Sequence, residues 1–407
     1  MAAYSNVAFP LLVAMCYVLG QLSSRVRRTT WFGVLNAVAV GVLFGWRSLL
    51  ILLVLTLVYW TALAAVTRVR PGPAGVIWVR FAEPILYISA AIIFIMHKSL
   101  LEPRNDFSSF PLISSLSHAA SVPMIHGGVQ ALQLIALSYI FLRLIDLIRS
   151  VLDGATLLDP LAMSGFLVPF FMTPAGPVNV YSDHVKMDEQ AVKPVTVANF
   201  VDSTFLIVCG YFLKFVVAQL FSLFLVGVNG NWPTTSIGGT AVFLLYVFLE
   251  FSGYSLIALG VGCLLSIPTP VNFNHPYLAT TVGEFWNRWH MSLGQFVRRN
   301  LYIPTQVAMM RRFGRKNREI AYITNILALS LPFIFVGIWH RFTWSFLLWG
   351  ISLGIIVAVE KVVRERLFIR FKRLHEQPRW ITMPLGIVYT LTVVVVTLHI
   401  ASGDFIR

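Results

Sequence analysis

The chain has 407 residues, 57% of them hydrophobic and 12% charged, with a mean hydropathy of +0.77. Soluble domains carry about 25% charged residues, so this share leaves too little polar surface for a water-soluble globule and points to a membrane protein. The net charge of +14 sits in short loops between apolar runs. That pattern reads as the Lys and Arg excess of cytoplasmic loops or as a docking surface for an acidic partner, and it argues against nucleic acid.

A hydrocarbon core of about 30 Å takes about 20 apolar residues per helix. Runs able to span lie near 7–21, 32–46, 48–66, 81–97, 127–148, 203–229, 239–266, 320–338, 342–359 and 381–400. No basic segment precedes the first run, and "SSRVRR" follows it in place of a small-residue cleavage site, so it is expected to stay as a first span. Basic clusters include Arg25, Arg27 and Arg28, then Arg68, Arg70 and Arg80, then Arg311, Arg312, Arg315, Lys316 and Arg318. A last cluster runs from Lys361 to Arg379.

Placing every cluster in the cytoplasm gives ten crossings, with both termini extracytoplasmic and the Ser-rich segment 98–126 outside; eleven spans with one shifted boundary also fit. The expected fold is an all-α polytopic membrane protein of 10–11 spans in one integral-membrane domain, 1–407. Cys16, Cys209 and Cys263 each lie inside an apolar run without CxxC spacing and read as small core hydrophobes.

Two segments do not fit as spans. Residues 150–202 hold a short apolar piece interrupted by Pro169, Pro174, Gly176 and Pro177. Residues 276–304 lie between two cytoplasmic assignments and must enter and leave on one side. Irregular backbone at membrane depth survives only where protein or water satisfies its polar groups, so both segments suggest a protein-lined cavity.

The second segment contains "EFWNRWHMSLGQFVRR", residues 284–299. Thr281 followed by Glu284 predicts a capping box at a helix start. On one helix, Glu284 and Arg288 are spaced for an ion pair, and Trp286 and His290 for packing of indole on imidazole. An amphipathic helix at the cytoplasmic interface is the plainer explanation of this polarity. A second polar island, "VGIWHRFTWSFLLWG" (336–350), is expected at the far turn of a hairpin, with His340 and Arg341 at the tip. Ionisable groups near or inside a bilayer are costly, so both islands invite a functional reading; an external turn flanked by interfacial Trp339 and Trp344 is the alternative for the second. His97, His118, His126, His184, His275, His375 and His399 read as structural or solvated, and no HExxH or carboxylate–histidine spacing points to a metal.

At these islands the chain resembles the membrane-bound O-acyltransferase family. "EFWNRWHMSL" followed by "RNLYIP" is similar to that family's Phe-Trp-x-Arg-Trp-His-x-Ser-Leu motif, and "GIWHRFTWSFLLWG" to its Gly-x-Trp-His-Gly-x-x-Trp motif. "FFMTPAGPVNVY", residues 170–181, resembles a third, looser segment with Gly-Pro before a Tyr. The motif-bearing core covers about 160–360, and the two His-centred motifs stand in the family's order, fifty residues apart. Arg341 stands where the family usually has Gly, Arg299 where many members have Asp, and Asn179 and Val180 replace a commonly acidic–basic pair. Within the family the chain looks most like the bacterial branch that serves the cell envelope, D-alanyl transferases ahead of polysaccharide O-acetyltransferases. After "YIP" it runs into a basic segment and lacks the Leu-Gly-Gly of the alginate type.

The resemblance implies a helical core with re-entrant or interfacial helices around a tunnel. It implies acyl transfer from a cytoplasmic thioester to a hydroxyl of an extracytoplasmic envelope polymer or its lipid-linked intermediate. The donor would be a phosphopantetheine thioester on an acidic carrier protein, or acetyl-coenzyme A, with no bound cofactor. His340 would be the general base, and His290 would line the same passage. Trp286, Asn287, Arg288, Trp289, Ser292, Trp339, Arg341 and Trp344 are candidates for contacting substrate, and Arg311, Arg312 and Arg315 for docking the carrier. An extracytoplasmic partner transferase and a location in the bacterial cytoplasmic membrane are further implications. A transporter or flippase of an envelope precursor is the competing class.

Overall fold

The computed structural model describes residues 2–22, 27–69, 73–101, 137–173, 175–189, 196–226, 236–314, 318–368 and 379–402. The described chain is helical, and among the described residues the only β pairing is an isolated antiparallel bridge between Phe273 and Trp289. Among the described residues, seven helical stretches are long and apolar enough to cross a membrane: Trp46–Val69, Phe81–Lys98, Val197–Leu223, Ile237–Leu265, Glu319–His340, Trp344–Glu365 and Thr382–Ala401. The protein is an all-α, multi-pass membrane protein.

Two of the ten expected spans form helices shorter than a full crossing, and a third is described only in part. The first run forms Ala8–Leu22, 15 residues, and the second forms Arg28–Phe44, 17 residues. The run at 127–148 is described only from Leu137, in the 16-residue helix Leu137–Leu152. At 1.5 Å rise per residue, 17 residues reach about 25 Å, short of a hydrocarbon core of about 30 Å. The Arg28–Phe44 helix stops at Gly45, whose φ of 87° takes a left-handed corner that glycine adopts without steric cost, and Trp46–Val69 starts directly after it.

The chain divides into two compact units. The first draws its described residues from Met1–Pro103, Ser108–Phe212 and Gly253–Pro270; the second draws on Leu213–Ser252 and Val271–Arg407. In the first unit the interrupted segment after residue 150 is not a span. Asp159 caps the Pro160–Leu167 helix by accepting from Leu161 N and Ala162 N, with Pro160 at the first helical position, where its missing N–H costs nothing. A 3-10 turn, Phe170–Met172, follows, and Asn36 Oδ1 accepts from Phe170 N at 2.8 Å. Such side-chain caps are how a broken helix keeps its backbone groups satisfied in an apolar setting.

In the second unit, Arg318–His340 and Trp344–Val362 form an antiparallel hairpin. Lipid tails are as apolar as Leu, so helices in a bilayer associate through close packing of backbones rather than by leaving water. A Cβ on Gly337 would stand 2.4 Å from Phe346 O, and one on Gly350 would stand 2.5 Å from Phe333 O, so hydrogen at these two positions sets the helix separation. Phe346, Trp349, Leu353 and Val357 then pack with Val282 and Ala401 in a buried cluster. A neighbouring cluster joins Leu244, Ala279, Phe285, Val394 and Val395, and Trp286 packs against both. Lys214, inside a π-turn Phe212–Val217, is buried and paired with Glu250, which keeps an intramembrane cation neutralised.

Candidate active site

The "EFWNRWHMSLGQFVRR" stretch is two short helices, Val282–Arg288 and Met291–Val297, separated by a corner at Trp289 and His290. This corrects the expectation of one helix through 284–299. The register that would have laid Trp286 on His290 is lost, because Trp289 is extended (φ −102°, ψ 127°) and His290 is left-handed (φ 48°, ψ 52°). A non-glycine residue held in that region costs of order 1–3 kcal/mol and persists only where its surroundings over-determine it. They do so here. Met291 N donates to Asn272 O at 2.9 Å, Asn274 N donates to Arg288 O at 3.0 Å, and the Phe273–Trp289 bridge lies between.

The start of the first helix follows its sequence signature in part. Thr281 Oγ1 accepts from Glu284 N at 3.1 Å, as a capping box requires. The reciprocal bond goes elsewhere: Glu284 accepts from the backbone N and hydroxyl of Thr280, at 2.8 and 3.0 Å. The expected Glu284–Arg288 pair forms at 2.7 Å. Burial raises the Glu284 carboxyl, but the Thr280 hydrogen bonds and Arg288 outweigh it and hold the group below its ordinary value. A distant carboxylate completes the cap: Glu360, on the hairpin's second helix, accepts from Val282 N at 2.9 Å and Gly283 N at 3.1 Å. An anion on the first-turn N–H groups is favoured by both hydrogen bonding and the helix dipole.

His290 is 6% exposed. Its ring meets Phe251 edge-on at 4.8 Å, and its Nδ1 lies 3.3 Å from Asn272 Oδ1, which also accepts the Ser292 hydroxyl at 2.6 Å. Burial, and secondly the charge of His340, push this imidazole down to about 3. The two histidines therefore lie close enough for their charges to interact, inside one unit. His340 ends the Arg318–His340 helix, where the hairpin was expected to turn, and it is exposed. Thr343 caps the returning helix by accepting from Phe346 N. The His340 ring packs on Trp339 at 4.9 Å and lies 5.9 Å from Trp349. Trp349 is 5.6 Å from Trp286. The indole N–H groups of Trp286 and Trp349 are buried and meet no hydrogen-bond acceptor among the described residues.

Of the residues singled out by sequence, Ser292 stands with His290 through Asn272, and Trp339 and Trp286 belong to the aromatic surround of His340, Trp286 by way of Trp349. Trp289 stacks on Phe285 at 5.5 Å. Asn287 and Trp344 are exposed, Arg341 is half-buried, and Arg288 is held by Glu284. Arg311 and Arg312 are exposed, whereas Arg315 lies outside the described residues. The segment "FFMTPAGPVNVY" belongs to the first unit, where its Asn179 Oδ1 and Pro177 O accept from the buried Arg143 guanidinium at 2.7 and 3.0 Å. Sequence reading missed Asn272, Trp349, Phe251 and Glu360. Trp349 could have been found, since it sits beside Gly350 in the second motif; Asn272 carried only the weak signal of a polar island, "NFNH", after an apolar run. Among the described residues no cluster of His, Cys, Asp or Glu could hold a metal.

Two motif-bearing elements thus bring their histidines near each other within the second unit. The family model described as membrane-bound O-acyltransferase matches residues 156–390, more than half of the chain. The chain belongs to that family and is an O-acyltransferase. A teichoic acid D-alanyltransferase of Streptococcus thermophilus is 28% identical over 331 residues, covering 72% of this chain and 74% of the relative. A teichoic acid D-alanyltransferase of Bacillus subtilis is 28% identical over 290 residues, 69% of each chain. A peptidoglycan O-acetyltransferase of Helicobacter pylori is 36% identical, but over 115 residues, 28% of this chain and 20% of the relative.

Removing the distant cap should be visible as stability. Glu360→Ala leaves two first-turn N–H groups without their anion and should cost about 1–2 kcal/mol. The expected reading is a lower unfolding midpoint in detergent by tryptophan fluorescence, with Glu360→Gln falling between; an unchanged midpoint would remove Glu360 from this role.

Proposed function

We propose that the chain transfers a D-alanyl group from a cytoplasmic carrier-protein thioester to a hydroxyl of an extracytoplasmic envelope polymer or its lipid-linked intermediate. The observation that carries the acyl-transfer chemistry is the approach of His290 and His340 within one unit, beside two indole N–H groups without acceptors. The D-alanyl lean rests on alignment length: likeness to the relatives named D-alanyltransferases runs along most of both chains, while the likeness to the named peptidoglycan O-acetyltransferase is confined to a short stretch. Transfer of an acetyl group to a polysaccharide is the second reading, favoured by the higher identity within that stretch.

His340 is the general base. A neutral imidazole suits removal of a proton from a hydroxyl near pH 7. As the hydroxyl oxygen attacks the thioester carbonyl, its proton passes to His340 and the carbonyl oxygen gains negative charge. Collapse breaks the carbon–sulfur bond, and the leaving thiolate takes the proton back from His340. The Trp286 and Trp349 indoles supply the donors for the transient oxyanion, and a donor placed there lowers the barrier only in the transition state. The exposed Arg311 and Arg312 attract the acidic carrier from the cytoplasmic side.

Purified protein in liposomes, given a D-alanyl carrier thioester inside or acetyl-coenzyme A in its place, separates the two readings by which acyl group reaches the polymer; transfer of neither would sink both. His340→Ala is expected to abolish transfer while leaving insertion and the unfolding midpoint intact, and near-full activity would eliminate it as base. His290→Ala should lower transfer severely without abolishing it. Trp349→Phe keeps an aromatic ring but removes the N–H; kcat should fall by about 100-fold or more at nearly constant KM, and wild-type kcat would dismiss the indole donors. Arg311→Glu with Arg312→Glu should weaken carrier binding and flatten its salt dependence, whereas unchanged binding and salt response would remove these arginines from docking.

A further inference from the structure

We infer that Asn272 is a positioning residue for acyl transfer: it holds His290 as the tautomer protonated on Nδ1, so that Nε2 carries the lone pair and accepts a hydrogen bond from a substrate N–H or O–H other than the hydroxyl that His340 deprotonates. The assignment rests on the acyltransferase reading above and goes beyond it in naming the atom that acts and the residue that selects it.

The chemistry follows from one oxygen. Asn272 Oδ1 already accepts from the Ser292 hydroxyl at 2.6 Å, and an amide oxygen can only accept. The imidazole nitrogen 3.3 Å away must then be the one bearing hydrogen. With Nδ1 protonated and the ring neutral, the lone pair lies on Nε2. The backbone enforces the same alignment, because Met291 N donates to Asn272 O at 2.9 Å and Phe273 bridges Trp289. Asn272 thus grips the corner twice, by main chain and by side chain, on either side of the left-handed His290. Both Asn272 and Ser292 are buried, at 1% exposure, so the arrangement is shielded from competing water. Phe251 covers the ring edge-on from the Ile237–Leu265 helix.

The charged groups around this ring leave it neutral. His340 acts on His290 through its charge and disfavours a second positive charge there. Glu250, next to Phe251 in the chain, is paired with Lys214, and Glu284 is paired with Arg288. An imidazole that stays neutral while its neighbour cycles through imidazolium is suited to holding the substrate at a separate N–H or O–H, with His340 taking the proton of the reacting hydroxyl.

The test reads the tautomer and the kinetics separately. Full-length protein carrying nitrogen-15 histidine is reconstituted in liposomes, and the His290 ring signals are identified by their loss in His290→Gln. The expected wild-type spectrum has protonated Nδ1 and bare Nε2 for His290 at pH 7. Asn272→Ala should lose that form and lower kcat at least tenfold with KM within about twofold; the unfolding midpoint checks that it folds. Asn272→Asp keeps an acceptor in place and should restore the Nδ1-protonated form. Its carboxylate favours the imidazolium, so the acid limb of kcat/KM should move to higher pH. A purely structural Asn272 predicts neither the tautomer change nor the displaced limb. A wild-type His290 protonated on Nε2, or a tautomer indifferent to Asn272→Ala, overturns the inference. The spectrum needs no turnover, so a protein that transfers no acyl group yet shows the expected tautomer would defeat the functional reading while leaving the Asn272–His290 geometry standing.

Discussion

A corner that an L-residue would not choose governs the second unit. His290 turns the chain at positive φ between two seven-residue helices, and neither helix is long enough to be stable alone. Each therefore depends on groups supplied from afar. Asn272 holds the corner from eighteen residues upstream, and Glu360 caps the first helix from seventy-eight residues downstream. Because Glu360 sits on the helix that returns from His340, the same carboxylate that starts the His290-bearing pair also fixes it to the His340 hairpin. The relative position of the two imidazoles is thus set by a few polar bonds whose partners lie far apart in the chain.

That economy suits an apolar solvent. In lipid, packing gives little preference for one arrangement of apolar faces over another, whereas an unmet N–H or C=O is expensive. Polar bonds therefore specify, and small residues permit. Gly337 and Gly350 let the hairpin's backbones meet, and Glu360 chooses what docks beside them. In the first unit Arg143 plays a comparable part: its guanidinium is buried among the Asn179 amide oxygen and the carbonyls of Leu167 and Pro177, and so it fastens the proline-broken segment through neutral acceptors.

Local signals in the sequence were dependable where the structure is local. The Thr281 cap, the Glu284–Arg288 pair and the His340 turn between two apolar helices all follow from spacing of four residues or fewer, or from the bias of basic loops. The failures share a cause. The break at Trp289 and His290 has no glycine or proline to mark it, since it is imposed by Asn272 through tertiary bonds. The Glu284 carboxylate turned to Thr280 because that hydroxyl and N–H lie within its reach. Helix ends inside an apolar run are equally silent unless a residue such as Gly45 changes the backbone sign. Trp349 was legible as part of a motif but not as a donor, because an indole reads as packing until its N–H is seen without an acceptor.

The two histidines differ in the way that a division of labour requires. On the proposed roles, the general base becomes a cation once in each cycle, and His340, at the end of its helix, is the less buried of the two rings. A group that holds the substrate by accepting a hydrogen bond from a second N–H or O–H must keep its lone pair while that cation forms nearby. His290 is buried, is held at one ring nitrogen by a neutral amide, and is discouraged from protonation by His340 itself. Exchanging the roles would place the transient charge in the more desolvated position and leave the more exposed ring to hold the substrate. The difference in burial between the two rings thus agrees with the proposed assignment of His340 as base.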